Sequence, residues 1–349
     1  MSTNKRVTLK DISEHLGVSV TTVYKALHDK PKVGAELRER ILQTAKEMDY
    51  VPNRVAQALV RNPLTIAAIL PKYPREFMVY VEKGVQAAMD ELRDYNVMGI
   101  MESVSTAEQA DEVWKQFYNQ GVSGIVSCFN QYNSGISALL KELPEFNIPV
   151  VSIISAPLDK TPYIGEVVSS GKVLGRMAGQ LMGMICKPQT PVACFVPDMI
   201  ANIHAQCAQA FNEESKMMGL DCRGVFFTGY NNDESKTYKV TQELLDSSPD
   251  IGGIYVASSN AYNVCKCVED RRLSGKIVII GHDLYPELAQ CLERGTLTAT
   301  LFQNQYANAY KGVITLFEYL SKAQNSFHSI YYRPELVLRA NLDIYEGMY

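Results

Sequence analysis

The sequence predicts an all-α helix-turn-helix head with a trailing hinge helix, joined to an α/β body of two lobes built on parallel sheets. Three observations predict it. Residues 8–59 hold three short amphipathic segments, a proline break and a fourth short helical segment. From Leu64 onward, short β-branched runs alternate with helical stretches, the pattern of parallel strands covered on both faces. The charge is also divided. Residues 1–62 carry 11 Lys+Arg against 7 Asp+Glu, a net of +4, and the remainder carries 23 against 31, a net of −8. The whole-chain net of −4 therefore conceals a basic head on an acidic body, the footprint of a localised phosphate-binding face.

In the head, Thr8 is placed to cap a first helix, and Asp11 three residues on completes a capping box. Leu9, Ile12 and Leu16 follow at helical spacing. Gly17 stops the helix because it tolerates a left-handed backbone. Ser19 caps a second helix over Val20–Leu27. There Val23 and Leu27 face inward and leave Val20, Thr21, Tyr24 and Lys25 outside. A helix, a glycine turn and a capped second helix make a recognition hairpin, whose second helix enters the major groove of DNA. A third helix spans about Ala35–Met48, with Leu37, Ile41, Leu42, Ala45 and Met48 as one apolar stripe. Asp49-Tyr50-Val51-Pro52 breaks it, and Asn53 caps a last short helix, Arg54–Val60. The boundaries read as 1–52 for the head, 53–63 for hinge and linker, and 64–349 for the body.

In the body, TIAAILP is a buried strand, Glu82–Tyr95 a helix, Asn96–Met101 a strand and Thr106–Gln120 a helix with Val113 and Phe117 inward. GIVSCF, PVVSII, PVACFVP, CRGVFF, GGIYVA and KIVIIG follow as strands. About 280 residues is long for one sheet, so two lobes are expected.

Three segments carry a resemblance: VTLKDISEHLGVSVTTVYKAL, YVPNRVAQAL and the strand-end pattern of the body. Together they resemble the lactose-repressor (LacI/GalR) family of bacterial transcription regulators over nearly the whole chain. The resemblance implies that Val20, Thr21 and Lys25 sit at base-reading positions, that Ser19, Thr22 and Tyr24 lie at the phosphates, and that Thr8 is among the DNA-binding residues. Val20 and Thr21 lack the bidentate hydrogen bonds of Arg, Asn or Gln, so the operator sequence is not readable from them. Asn53, Arg54, Val55 and Ala56 would begin a hinge helix that folds on operator DNA. Val55 would meet its dimer mate, and Leu59 would wedge into the minor groove.

The resemblance further implies a periplasmic-binding-protein-like sensor, with lobe one at about 64–157 and 299–323 and lobe two at about 158–298 and 324–345. A ligand would sit between the lobes, beyond the carboxyl ends of the strands. Four strand-end loops stand out. Pro71–Phe77 holds Tyr73 and Phe77, and Phe77 matches an aromatic that stacks on a sugar ring in relatives. Gly281-His282-Asp283 resembles the family's Gly-Phe-Asp, whose Asp accepts bonds from ligand hydroxyls. Ala299–Gln303 ends in a residue matching a polar contact of ribose-binding relatives. Ser258-Ser259-Asn260 matches the family's Asn-Asp segment. Each has a plainer alternative: Phe77 packs under its loop, Asp283 caps the next helix, His282 lies on the surface, and Gln303 and Ser259 serve structure alone. Two polar anchors of sugar-binding relatives are replaced, at Cys207 and at Ile154-Ser155. This points to an atypical ligand or to other partners such as Asn130, Asn202 or His204.

The expectation is a homodimeric regulator, a repressor, that binds double-stranded operator DNA under the control of a small molecule, first of all a sugar or sugar derivative. The alternative is control by a partner protein or a non-sugar ligand. No Gly-rich phosphate loop, HExxH or GxSxG is present, so neither an enzyme nor a cofactor is expected. The eight cysteines are scattered without a CxxC pair and read as small core residues, with no metal site expected. No apolar stretch approaches the ~18 residues of a membrane span, and MSTNKRVTLKD is no signal segment. No membrane partner and a cytoplasmic location are therefore expected.

Overall fold

A computed structural model describes residues 7–27, 31–48, 50, 63–129, 147–156, 163–197, 202–229, 234–321 and 326–348. The chain divides into two compact units that part between Pro63 and Leu64.

The head comprises α1 (Leu9–Leu16), α2 (Val20–Leu27) and α3 (Ala35–Glu47). Thr8 Oγ1 accepts from the Asp11 amide at 3.3 Å, and the Thr8 amide donates to Asp11 Oδ2 at 2.7 Å. Gly17 ends α1 in the left-handed region, with φ +66°. Ser19 Oγ accepts the Thr22 amide at 3.0 Å and so caps α2. Ile12, Val23, Ala26, Ile41 and Ala45 form the core, with Leu27, Leu37 and Met48 packed around it. Two details of the expected stripes differ. Ala26 is fully buried where Leu27 is only partly so, and Leu42 is exposed. One residue on from buried Ile41, Leu42 is turned ~100° around the helix and faces away from α1 and α2. Asn53, Arg54, Val55, Ala56 and Leu59 lie outside the described residues.

The body contains twelve described strands in two six-stranded sheets. Sheet one has the order β11 (Ile330–Tyr332), β5 (Gly165–Ser169), β4 (Val150–Ile154), β3 (Gly124–Ser127), β1 (Leu64–Pro71), β2 (Val97–Val104), all parallel. Sheet two has the order β12 (Glu335–Val337), β10 (Ala299–Phe302), β9 (Val278–His282), β8 (Gly253–Val256), β6 (Pro191–Pro197), β7 (Asp221–Thr228). Its strands are parallel except β12, which runs antiparallel to β10.

Strand pairing redraws the expected lobes. β5 was placed in lobe two and β10 in lobe one, yet β5 pairs with β4 in sheet one and β10 with β9 in sheet two. The last strands also separate, β11 joining sheet one and β12 sheet two. The chain therefore crosses after Ser169, after Phe302 and between Tyr332 and Glu335. Hydrophobic pattern marks a strand as buried but does not say which sheet completes its ladder, so the crossings were displaced by up to a dozen residues.

Helices cover both faces of each sheet. Trp114 and Phe117 of α5 (Ala107–Gln120) pack with Ile69, Ile125 and Phe129 on one face of sheet one. On sheet two, α8 (Glu234–Ser247), α9 (Ala261–Asp270) and α10 (Pro286–Arg294) close one core. On the other face, α6 (Gly171–Ile185) and α7 (Asn202–Met217) close another. The remaining helices of sheet one are α4 (Arg75–Leu92) and α11 (Gln305–Leu320).

Two further expectations are corrected. The helix expected from Glu82 begins at Arg75, because Met78, Val81 and Val85 extend its buried face backwards and Pro74, at φ −71°, fits the N-cap. Phe77 therefore stands on the first turn of α4 instead of in a loop. Ala299–Phe302, expected as a loop, is the strand β10, and Gln303 follows it directly.

Candidate functional site: an inter-lobe cleft and a polar helix face

The carboxyl ends of strands from both sheets converge on one cavity of about 740 Å³, its open mouth included. Pro71 ends β1, with Tyr73, Pro74 and Phe77 just beyond; Cys128 and Phe129 follow β3; Ile154 and Ser155 close β4. From the second sheet come Pro197 of β6, Ser258–Asn260 after β8, His282 and Asp283 at the end of β9, and Gln303 after β10. The first turn of α7 adds Ile203 and His204. Tyr73, Phe77, His204, Ser259, His282, Asp283 and Gln303, expected from the sequence, thus line a single cavity. Asn130 lies outside the described residues.

Asp283 is the acid of this cavity. It is buried, and its Oδ1 accepts a bond from Gln303 Nε2 at 2.9 Å. Burial pushes its pKa up to about 7, with the Gln303 bond opposing and the Glu76 charge assisting. Its amide donates to Leu301 and its carbonyl accepts the Thr300 hydroxyl at 2.6 Å, which holds the residue at the strand end. It does not cap the following helix, whose N-cap is Tyr285.

His282 is buried, contrary to the surface alternative. Its Nε2 lies 2.5 Å from the hydroxyl of Tyr255, a β8 residue behind the cavity wall. Burial, with repulsion from His204, pushes His282 down to about 3, and burial pushes His204 down to about 4. Both imidazoles are therefore neutral at physiological pH, as hydrogen-bonding groups without charge. The Ser258–Asn260 loop is pinned from both sides. Asn260 Nδ2 donates to the Gly229 carbonyl at 2.5 Å, and the Tyr285 hydroxyl donates to the Ser259 carbonyl at 2.5 Å.

Ile154 adopts φ +66° and Asp283 φ +67°. A β-branched residue in this region is strained by roughly 1–3 kcal/mol, and such strain gathers at binding sites. At Ile154 the strained backbone turns the chain so that Ser155 faces the cavity. Phe129, Tyr255 and Tyr285 were missed from the sequence. Phe129 was within reach of the strand-end rule. Nothing in the sequence signals that the Tyr255 hydroxyl meets a histidine 27 residues on.

In the head, Val20, Thr21 and Tyr24 are exposed on one face of α2 with Lys25 half-buried beside them. The Ser19 and Thr22 hydroxyls lie 2.8 Å apart at the start of that helix. This leaves the N-terminal end of α2 open to solvent while Val23 and Ala26 anchor it to the head core.

Residues 8–53 match the profile of bacterial regulatory proteins of the lacI family, and residues 66–324 match a periplasmic binding protein domain. The chain belongs to the lacI family.

This lacI-family chain is a DNA-binding transcription regulator, with the DNA-binding region in its head and the periplasmic-binding-protein-like fold in its body. It is 25% identical to the ribose operon repressor of Halalkalibacterium halodurans over 80% of this chain and 81% of that protein. It is 23% identical to catabolite control protein A of Streptococcus mutans over 71% and 72%. The fold of the body matches a glucose-galactose binding protein from Geobacillus stearothermophilus. The TM-score is 0.71 at 21% identity, over 81% of this chain and 99% of that one.

Within the regulator, Cys207, at the position where sugar-binding relatives were expected to carry Arg, is fully buried in the core between α7 and the second sheet and does not line the cavity. Burial pushes its thiol up to about 12, so it supplies neither charge nor a strong donor. Among the described residues no helix is long and apolar enough to cross a membrane, and no group of His, Cys, Asp and Glu is placed to hold a metal.

Proposed function

We propose that this regulator is a homodimeric repressor that releases or grips double-stranded operator DNA in response to a sugar or sugar derivative bound between its lobes. One observation carries the reading. Side chains from strand ends of both sheets meet at one cavity, so a ligand there touches both lobes at once. A ligand held by two lobes favours one inter-lobe angle over another, and that differential affinity is what couples it to DNA. The dimer would place two α2 helices in successive major grooves, with Val20, Thr21 and Lys25 at base edges, Ser19, Thr22 and Tyr24 at phosphates, and Thr8 beside the DNA at the start of α1. Asn53, Arg54, Val55, Ala56 and Leu59 would form the hinge at the centre of the site. In the body, Asp283 and Gln303 take ligand donors, Phe77 and Tyr73 cover a ring face, and Ser259, His204 and His282 complete the polar contacts. A protein working on operator DNA resides in the cytoplasm, and the reading needs no chemical step.

The test is selection of a preferred duplex from a random pool by the full chain, followed by titration of sugars against the complex by fluorescence anisotropy. Enrichment of a near-palindrome and a shift of its affinity by one sugar are expected. A pool that stays random would refute the DNA assignment. On the selected duplex, Lys25→Ala is expected to weaken binding and, because a cation leaves the groove, to lower the slope of log K against log salt by up to roughly 0.9, the value for one neutralised phosphate. Unchanged affinity and slope would move Lys25 off the duplex.

A further inference from the structure

The charge and polarity of the cavity restrict the ligand further than its position does. Its described lining contains one acid, Asp283, and neither lysine nor arginine. Cations adjoining the lining have other partners or surroundings. Arg75 Nη1 bonds both carboxylate oxygens of Glu82, at 2.7 and 2.8 Å, and Lys72 Nζ lies over the ring of Tyr73, 5.8 Å from its centroid. Lys172 lines a separate pocket, which borders the cavity at Ile154, Ser155 and Ile203 and also holds Glu166 and Glu213. His204 and His282 are neutral in this setting. Glu76, one turn-position before Phe77, adds a second negative charge to the field at Asp283.

A phosphorylated ligand would bring a charge of −1.5 to −2 into this field. Helix N-termini near the cavity offset about half a charge each at most, and protein sites for such groups ordinarily draw on Arg or Lys. A carboxylate would meet Asp283 at close range, where two like charges in a low dielectric force one of them to protonate. Polarity narrows the class again. Tyr73, Phe77, Phe129, Met78, Ile154 and Ile203 line the cavity with aromatic and aliphatic side chains. A ring with a hydroxyl on every side would leave some unpaired against them, at about 1–3 kcal/mol for each.

We propose that the cleft selects an uncharged or amine-bearing small sugar ring with one apolar face and rejects phosphorylated and carboxylated sugars. The proposal rests on the sugar-effector reading above. It is tested with the full chain by thermal shift and calorimetry against matched sets: glucose and galactose, their 2-amino forms, their 6-phosphates and their uronic acids, with ribose, ribose 5-phosphate, fucose, rhamnose and myo-inositol. At least one neutral or amino member is expected to bind, with its anionic counterpart weaker by at least about tenfold, the effect of one uncompensated charge in a partly buried site. In Asp283→Asn that discrimination against the uronic acid is expected to shrink by a similar factor. A phosphate or uronic acid that binds as tightly as its neutral parent would overturn the charge selection and leave the sugar-effector reading intact. Binding by no member of the set would overturn both.

Discussion

Asp283→Ala is expected to abolish the ligand response while operator affinity in the absence of ligand stays within about twofold of the wild type. The carboxylate is the one buried acid at the centre of the cavity, and Gln303 is held on it at 2.9 Å. Hydrogen bonds to a charged group contribute roughly 1.5–3 kcal/mol each, so loss of one ligand bond with the misplacement of Gln303 weakens binding by about tenfold to a hundredfold or more. Operator affinity measured by anisotropy with and without ligand checks this, and an undiminished response would place the effector elsewhere.

A pH effect accompanies it. Asp283 has a folded-state pKa of about 7 against roughly 3.9 in an unfolded chain. Between these values the folded protein holds a proton that the unfolded chain has released. Its contribution to stability is full below about pH 4 and is lost as pH rises through 7. Asp283→Asn is therefore expected to remove a decline of stability that runs from about pH 4 to about 7 and levels off above it. His204 and His282, depressed to about 4 and 3, act with the opposite sign. Their stabilisation is present above about pH 6.5 and fades as pH falls towards those values. Melting temperatures of wild type and Asp283→Asn across pH 5–8.5 separate the two effects. Parallel curves over the whole range would refute the assignment of the slope to Asp283.

Gly175→Val is expected to destabilise the body by about 3 kcal/mol or more, and Gly175→Ala by about 1–3 kcal/mol, the range for overpacking a close contact. Gly171, Gly175, Gly179 and Gly183 recur every fourth residue along one face of α6, against α7. A Cβ at Gly175 would stand 2.3 Å from the Cys207 carbonyl oxygen and 2.9 Å from Ala210 Cβ and the Phe211 amide. At Gly171 the corresponding clash is 2.6 Å, with the Ile203 carbonyl. These contacts are to backbone, which cannot rotate aside, so the helices must part. Because the first turn of α7 carries Ile203 and His204 into the cavity, the same change is expected to weaken ligand binding. Thermal melts of the two variants check the stability, and an unchanged melting temperature for Gly175→Ala would show that α6 and α7 can separate without cost.

The head was legible in the sequence nearly residue by residue. Its signals are local: a capping box at Thr8 and Asp11, a glycine with positive φ at Gly17, and a hydroxyl cap at Ser19 are each complete within four residues of chain. The strand-end loops were legible for a related reason. Parallel strands must be buried, buried strands read as continuous β-branched runs, and the residue after each run falls at the carboxyl edge where ligands bind. Tyr73, Phe77, His282, Asp283 and Gln303 were within reach on that ground together with the family likeness. The four-residue glycine repeat of α6 stands in the sequence but went unread, because it has no meaning until α7 is placed against it.

The sequence alone determined which elements form and which of their ends could carry polar groups, because caps, turns and burial patterns are set by neighbours along the chain. Tertiary structure alone decided which sheet β5, β10 and β11 complete. It also decided that the Tyr255 hydroxyl meets His282, that Cys207 withdraws into the core, and that among the described residues Asp283 shares its cavity lining with no lysine or arginine. Each of these depends on a partner far away in sequence. A strand's ladder or a carboxylate's charge state is an energy of juxtaposition, and no local pattern encodes it.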